Sequence, residues 1–333
     1  MSKSRVIMPT GSDGLYLVTN RLIANPDRIF GDTEKQKLFS LMLAYANFSN
    51  IQIVAWCVMD DHFHMLLRVP GNASDMTTML TATDILKRMK LIYTPAELAV
   101  ITEAIAKKSP AAREEFFETY RRRIGSLAMF VRIVKQRFTQ WYNGKHQRVG
   151  TLWQERYKSV VVEMEKANSL GHAARVMAAY IDLNPVRAGL VNDPKDYPWC
   201  GFARACQGDK PSLNAISCLF GIPPKPAMVS YGDMIGSSQS ATSNPNTSGP
   251  ISSTDARARW HDRKPGEILP LQIMLRLSTR YFTDGTIIGS PDFVHRVSSA
   301  HGHGTTAKPG KKMRFGDWGG LHSLRNLRTN VIH

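Results

Sequence analysis

Three short stretches of this 333-residue chain carry side chains at spacings that suit chemistry. In His62-Phe63-His64 the histidines are two apart, and residues two apart in a strand share a face. Both imidazoles can then reach one metal ion from a rigid floor. Tyr180 and Asn184 are four apart, which puts a phenol and an amide oxygen on one face of a helix. The third stretch, Gly144 to Lys158, interleaves Lys145, Arg148, Arg156 and Lys158 with Trp153 and Tyr157. Lys and Arg neutralise phosphates, while Trp and Tyr stack on unpaired bases. Each stretch alone also has a plainer reading. These are two alternating surface histidines, a core tyrosine with Asn184 capping the turn before Pro185, and a solvated loop anchored by Trp153.

The elements that must position these groups can be read from periodicity. Gly14 to Ile23 alternates apolar and polar residues, as a half-buried strand does. Gly31-Asp32-Thr33 opens a helix, with Thr33 and Gln36 at capping-box spacing and Leu38, Leu41, Met42 and Tyr45 on its apolar face. Ile51 to Met59 reads as a second strand, Asp60-Asp61 as a tight turn and His62 to Val69 as a third strand. Residues 73–126 read as a helical insertion of mixed charge. Leu127, Val131, Val134, Phe138 and Trp141 recur at helical spacing, Tyr157 to Glu163 is a fourth strand, and a helix from about Ser169 to Asn184 ends at Pro185. With the insertion set aside, the order is β-α-β-β-α-β followed by a helix. That order predicts an α+β, ferredoxin-like fold: an antiparallel sheet with helices on one face.

Composition narrows the function. Lys and Arg number 43 against 27 Asp and Glu, a formal charge of +16, which favours a polyanionic partner such as nucleic acid. The four cysteines form no C-x-x-C pair, so neither a zinc framework nor a disulfide framework is expected. A reducing, cytoplasmic setting follows, and neither a signal peptide nor a membrane span is expected. The first domain, residues 10–205, is followed by a connector and linker over 206–254, where Gly236 to Thr254 carries no charge. Residues 255–333, with 13 Lys and Arg against 6 Asp and Glu, read as a basic C-terminal module. An accessory DNA-binding role and a solubilising tail both fit its composition.

The three stretches occur in an order that resembles the REP-associated tyrosine transposases, a branch of the HUH-type single-tyrosine enzymes with an IS200-like transposase domain. Met59-Asp60-Asp61-His62-Phe63-His64-Met65-Leu66-Leu67 is similar to their metal-binding strand. Gly150-Thr151-Leu152-Trp153-Gln154-Glu155-Arg156-Tyr157-Lys158-Ser159 resembles their loop and strand, and Tyr180 to Val191 their tyrosine helix. Asp196-Tyr197-Pro198-Trp199 fits the same branch, as do Arg280 to Gly285 and Gly319-Gly320-Leu321 in some relatives. The resemblance spans roughly residues 14 to 205. It implies the HUH endonuclease fold and a divalent cation, Mg²⁺ or Mn²⁺, held by His62, His64 and Asn184. It further implies attack by Tyr180 on single-stranded DNA beside a hairpin or palindromic repeat, leaving a 5′-phosphotyrosine. Arg148, Trp153, Arg156, Lys158 and Arg187 are then the candidates for DNA contact. Such proteins often act as dimers, although nothing in the sequence shows a homodimer.

Two details stand apart. Asp61 occupies a position where the family pattern leads one to expect Asn. Tyr142, in Phe138-Thr139-Gln140-Trp141-Tyr142-Asn143, is a second and weaker candidate nucleophile. Three readings compete with a tyrosine transposase: a domesticated, non-catalytic binder of single-stranded DNA or RNA hairpins, a hydrolase that uses water, and a replication initiator or relaxase sharing the H-x-H pair.

Overall fold

The computed structural model describes residues 5–9, 11–23, 30–72, 79–166, 169–237, 251–277, 281–282, 285–301 and 310–325. It is a mixed α+β structure built on one seven-stranded sheet in the order β2-β3-β1-β4-β5-β7-β6. Strands β1 (Gly14–Arg21), β2 (Gln52–Val58), β3 (His62–Val69) and β4 (Lys158–Val162) pair antiparallel. Strand β5 (Gly285–Gly289) joins β4 in parallel, and β7 (His322–Arg325) and β6 (Lys311–Lys312) complete the sheet. Residues 255–333, read from composition as a basic module, thus supply three strands to the same sheet as residues 14–162.

Strand alternation divides the side chains between two cores. Tyr16, Val18, Trp56, Val58, Phe63, Met65, Leu67 and Val161 face one core. Against them pack α1 (Asp32–Ser49), through Leu38, Met42 and Tyr45, and the helix Leu127–Lys145, through Val134 and Phe138. The opposite face presents Leu15, Leu17, Cys57, Leu66, Val160 and Val162 to a second core. Helices therefore cover both faces, not one. A half-exposed sheet was the expectation, yet β1 and β4 are apolar at successive positions, as strands buried on both sides must be.

Between the two helices of the first face lies the insertion. Its helices α2 (Ala82–Met89), α3 (Pro95–Ala106) and α4 (Pro110–Arg121) begin at Thr81, Thr94 and Ser109, whose side chains accept from the helix backbone. They close a satellite core around Ile85, Met89, Phe117 and Tyr120. The helix Leu127–Lys145, α5, follows. The expected capping box at Thr33 does not form. Helix α1 starts two residues earlier with Gly31 as N-cap and no side-chain cap bond, so Thr33 already lies inside the helix.

The second face is covered by α6 (Gly171–Asp182), buried on nearly all sides. Its small residues Ala173, Ala174, Ala178 and Ala179 let the backbone approach the sheet, while Val176 and Met177 fill the space around them. Gly171 opens it at φ +87, and a Cβ there would lie 2.3 Å from Cδ of Glu165. The Glu165 carboxylate needs that room, since it accepts from the His172 N–H and serves as the cap. The helix breaks at Leu183, since Pro185 has no N–H to continue the ladder. It resumes as the short α7 (Asn184–Arg187) rather than ending at Pro185.

Around α6 stand α8 (Gly201–Cys206), α9 (Lys210–Phe220), α10 (Pro224–Ile235), α11 (Ser253–Asp262) and α12 (Leu271–Arg276), all contributing to the second core. The connector after Ala205 is thus largely helical. Of the uncharged linker, residues 238–250 lie outside the described residues, while Ser252 caps α11. Helix α13 (Pro291–Ala300) packs on the first face beside β5. Among the described residues no helix is long and apolar enough to cross a membrane.

Candidate active site

The side chains that share a face with Leu17, Leu66 and Val160 include, further along the same strands, Thr19 and Arg21 of β1, His62 and His64 of β3, and Lys158 of β4. Register brings them together: Thr19 lies opposite both His64 and Lys158, and Arg21 opposite His62. The apolar core stops there. The polar ends of three strands face the last turn of α6 and line a cavity of about 470 Å³ with Tyr180, Asn184, Arg156 and Arg187.

His64 is 5% exposed, and its Nδ1 has no hydrogen-bond partner among the described residues. Burial, and after it its neighbours His62, Arg187 and Arg21, hold its pKa well below the usual histidine value, so the ring is neutral near pH 7. Its ring centroid is 5.1 Å from that of His62 and 6.1 Å from that of Tyr180, edge-on to both.

His62 is oriented by its neighbour. Its Nδ1 lies 2.5 Å from Oδ1 of Asp61, whose other oxygen is 3.6 Å from Nε of Arg21. The hydrogen bond from His62 holds the Asp61 carboxyl below its ordinary pKa against the opposing effect of burial. A carboxylate on Nδ1 fixes the tautomer and leaves the Nε2 lone pair for a ligand. Asp61 therefore orients the His62 ring.

Tyr180, 5% exposed, sits in the last turn of α6. Phe282 lies 4.3 Å from it between ring centroids. Arg187 places its guanidinium carbon 4.0 Å from the Tyr180 ring centroid. The same guanidinium donates to the Tyr180 carbonyl at 2.5 Å and to the Leu275 carbonyl at 2.8 Å. Asn184 remains beside Tyr180 despite the break at Leu183, and its Nδ2 is buried without a partner.

Those orphaned atoms test the site for a cation. Two imidazole edges and a side-chain amide converge on one cavity, and two of their buried nitrogens are unsatisfied. Rotating the Asn184 amide by a half-turn puts its oxygen where the unpartnered nitrogen stands, an acceptor with no donor of its own. The donor set fits a divalent ion that takes mixed nitrogen and oxygen ligands. Among the described residues no group of three or more His, Cys, Asp and Glu is arranged to hold a metal, and the Asn184 amide is the further group on this cavity that could add an oxygen donor to the two imidazoles.

The structure thus joins His62, His64, Tyr180, Asn184, Arg156, Lys158 and Arg187 around one cavity. It separates three other candidates from them. Trp153 is buried in the first core, its Nε1 donating to Thr139 Oγ1 at 2.9 Å and its ring packed on Phe30 and Phe63. It anchors the loop and offers no face to a base. Arg148 lies near the Tyr142 ring, away from the cavity. Tyr142 itself is 2% exposed in the first core, across the sheet from the histidines. Arg187 lines the cavity, but its two hydrogen bonds go to protein carbonyls, which makes it a support for Tyr180.

Sequence reasoning missed Thr19, Arg21 and Phe282. Register with His62 and His64 identifies the first two once strands β1 and β3 are paired. Phe282 arrives from about a hundred residues along the chain, with no local signal of its partner. Within the C-terminal patches singled out by resemblance, residues 280, 283 and 284 lie outside the described residues.

No family model matches the chain, and no curated protein does. Among solved structures it is similar to a REP-associated tyrosine transposase bound to a REP hairpin, at 18% identity and a TM-score of 0.39, covering 64% of this chain and 90% of that one.

Proposed function

We propose that the chain is a metal-dependent transesterase of the tyrosine-transposase type, acting on single-stranded DNA beside a hairpin. The observation that carries this reading is the convergence of His62, His64, Tyr180 and Asn184, from segments more than a hundred residues apart, on one cavity. The order β2-β3-β1-β4 supports the ferredoxin-like reading of the first four strands. Arg21, Arg156 and Lys158 against the carboxylate of Glu155 among the lining residues suit a cavity for a phosphodiester.

In this reading the Tyr180 phenolic oxygen attacks phosphorus and the bond to the 3′ oxygen breaks. The products are a 5′-phosphotyrosine and a free 3′-hydroxyl, which takes up the proton that the phenol releases. One phosphodiester replaces another, so rejoining needs no ATP. His62, His64 and Asn184 would hold Mg²⁺ or Mn²⁺, and such an ion would supply charge to polarise the scissile phosphate. Asp61 holds His62 in the tautomer that can serve as a ligand. Phe282 and Arg187 restrict the phenol, so that less orientation is lost on reaction. Lys158 and Arg156 would neutralise the phosphates on either side.

The test is incubation of the protein with end-labelled, hairpin-bearing single strands from repeats beside its own gene, with Mn²⁺ or Mg²⁺, for wild type and Tyr180→Phe. A denaturant-resistant protein–DNA adduct that needs metal and vanishes in Tyr180→Phe is the expected result. Cleavage without an adduct would replace it with a water-using nuclease. Tight binding with no cleavage would replace it with a non-catalytic binder.

A further inference from the structure

The pairing of three strands sets a row of side chains in line on the floor of the cavity. Thr19 of β1 lies directly opposite His64 of β3 on one side and Lys158 of β4 on the other. Neighbouring strands run about 4.8 Å apart, so an imidazole, a hydroxyl and an ammonium side chain rise from the sheet at that spacing. On its far side the row ends in Cys57 of β2, opposite His64. Cys57 and His64 are buried, Thr19 is half-buried and Lys158 is exposed, so the row opens from the core toward solvent. All of it shares the face covered by α6, and Thr19, His64 and Lys158 line the cavity together with Tyr180.

Thr19 has no task in the fold that calls for its hydroxyl, which has no hydrogen-bond partner among the described residues. The same face of β1 carries Leu15 and Leu17, and that of β4 carries Val160 and Val162, so packing on this face is done by apolar side chains. A hydroxyl at the point where the core ends faces whatever enters the cavity. A phosphodiester presents two non-bridging oxygens. One seated above Thr19 meets a neutral donor from that residue and a charged donor from Lys158, with the phenol of Tyr180 on the same cavity. The other non-bridging oxygen is left for the histidine side.

We propose that the Thr19 hydroxyl, with the Lys158 ammonium beside it, seats a non-bridging oxygen of the scissile phosphate. The seat rests on the reading of the cavity as a single-strand DNA site and adds to it a substrate-contacting residue that none of the three motifs contains. Its two donors leave different traces. Loss of the ammonium lowers the salt dependence of binding, because a cation that meets phosphate releases counterions. Loss of the neutral hydroxyl weakens binding equally at every salt concentration. Two donors on one oxygen are also coupled, so removing both costs less than the product of the single losses.

The experiment measures binding of the hairpin-bearing single strand over a range of salt, using the full chain with Tyr180→Phe so that no covalent step intervenes. Adding Thr19→Val, which keeps the shape and the strand preference, is expected to weaken binding about 10-fold with an unchanged salt slope and an unchanged urea midpoint. Thr19→Ser restores the hydroxyl and recovers most of the loss. Lys158→Met lowers the slope by about 0.7, the trace of one phosphate contact on a single strand. Thr19→Val placed on top of Lys158→Met weakens binding by less than about threefold further. Thr19→Val within about twofold of its parent, Thr19→Ser as weak as Thr19→Val, or single losses that multiply each overturn the seat. In the chain that keeps Tyr180, adduct formation separates the two ideas. An adduct at an undiminished rate in Thr19→Val removes the seat and keeps the transesterase. The Thr19 binding pattern with no adduct keeps the seat as a phosphate site and removes the transesterase, and a wild type that does not bind the strand removes both.

Discussion

Replacing Arg187 by Met distinguishes a support for the tyrosine from a DNA contact. The side chain is 8% exposed, and its guanidinium joins the Tyr180 and Leu275 carbonyls while lying over the Tyr180 ring. Methionine keeps most of the volume and removes both donors. Two buried carbonyls left unpaired cost roughly 1–3 kcal/mol each, and the lost cation–π contact about 1 kcal/mol more. Relief of the buried charge offsets part of this, leaving a net loss of about 2–4 kcal/mol. In urea the unfolding midpoint should fall by about 1 M with an unchanged slope. Adduct formation should fall by on the order of 100-fold, since the phenol loses a fixed orientation. The salt dependence of DNA binding should not move. The reasoning fails if Arg187→Met unfolds within about 0.5 kcal/mol of wild type while its salt slope drops by about 0.7, the signature of one lost phosphate contact.

Other substitutions probe the same frame. Phe282→Ala opens a cavity against Tyr180 and should cost about 3–5 kcal/mol by chemical denaturation, with Phe282→Tyr close to wild type in both stability and adduct yield. Tyr142→Phe should leave adduct yield unchanged, and a loss of the adduct there would move the nucleophile across the sheet. Glu34 is buried, which pushes its carboxyl up, but bonds from Lys145 at 2.6 Å and His146 at 3.1 Å bring it below its ordinary value. A lowered folded pKa stabilises above the unfolded pKa and is lost as pH falls through the folded one. Glu34→Gln should therefore destabilise by about 1–2 kcal/mol at pH 7, and the gap should close below about pH 4 in urea titrations at fixed ionic strength.

Much of the fold was legible because short apolar runs bounded by turn residues mark strands. His62–Val69 was bounded correctly from the turn at Asp60-Asp61 and the Pro70-Gly71 stop, and the H-x-H pair falls on one face for the reason its spacing suggests. What escaped the sequence has a common cause. An aromatic beside cations looks the same whether it meets a base or a core, and Trp153 meets Thr139 and Phe30. Arg187 looks like a helix-end cation until the carbonyl of Leu275 arrives beside it. Thr33 and Gln36 have the spacing of a capping box, but the helix had already begun at Asp32. Local pattern specifies which face a residue takes, and distant segments decide what that face meets.

The supports of Tyr180 come late in the chain. Phe282 and Leu275 follow the histidines by more than two hundred residues, and β5 must pair in parallel with β4 across more than a hundred. During synthesis the H-x-H strand and the tyrosine helix emerge well before the segment that steadies the phenol. Contacts so far apart close slowly. If the chain cuts DNA as proposed, a nascent chain would carry the histidines and Tyr180 for a time without the groups that steady the phenol, and the order of translation would delay any nick until residues 275–289 have emerged.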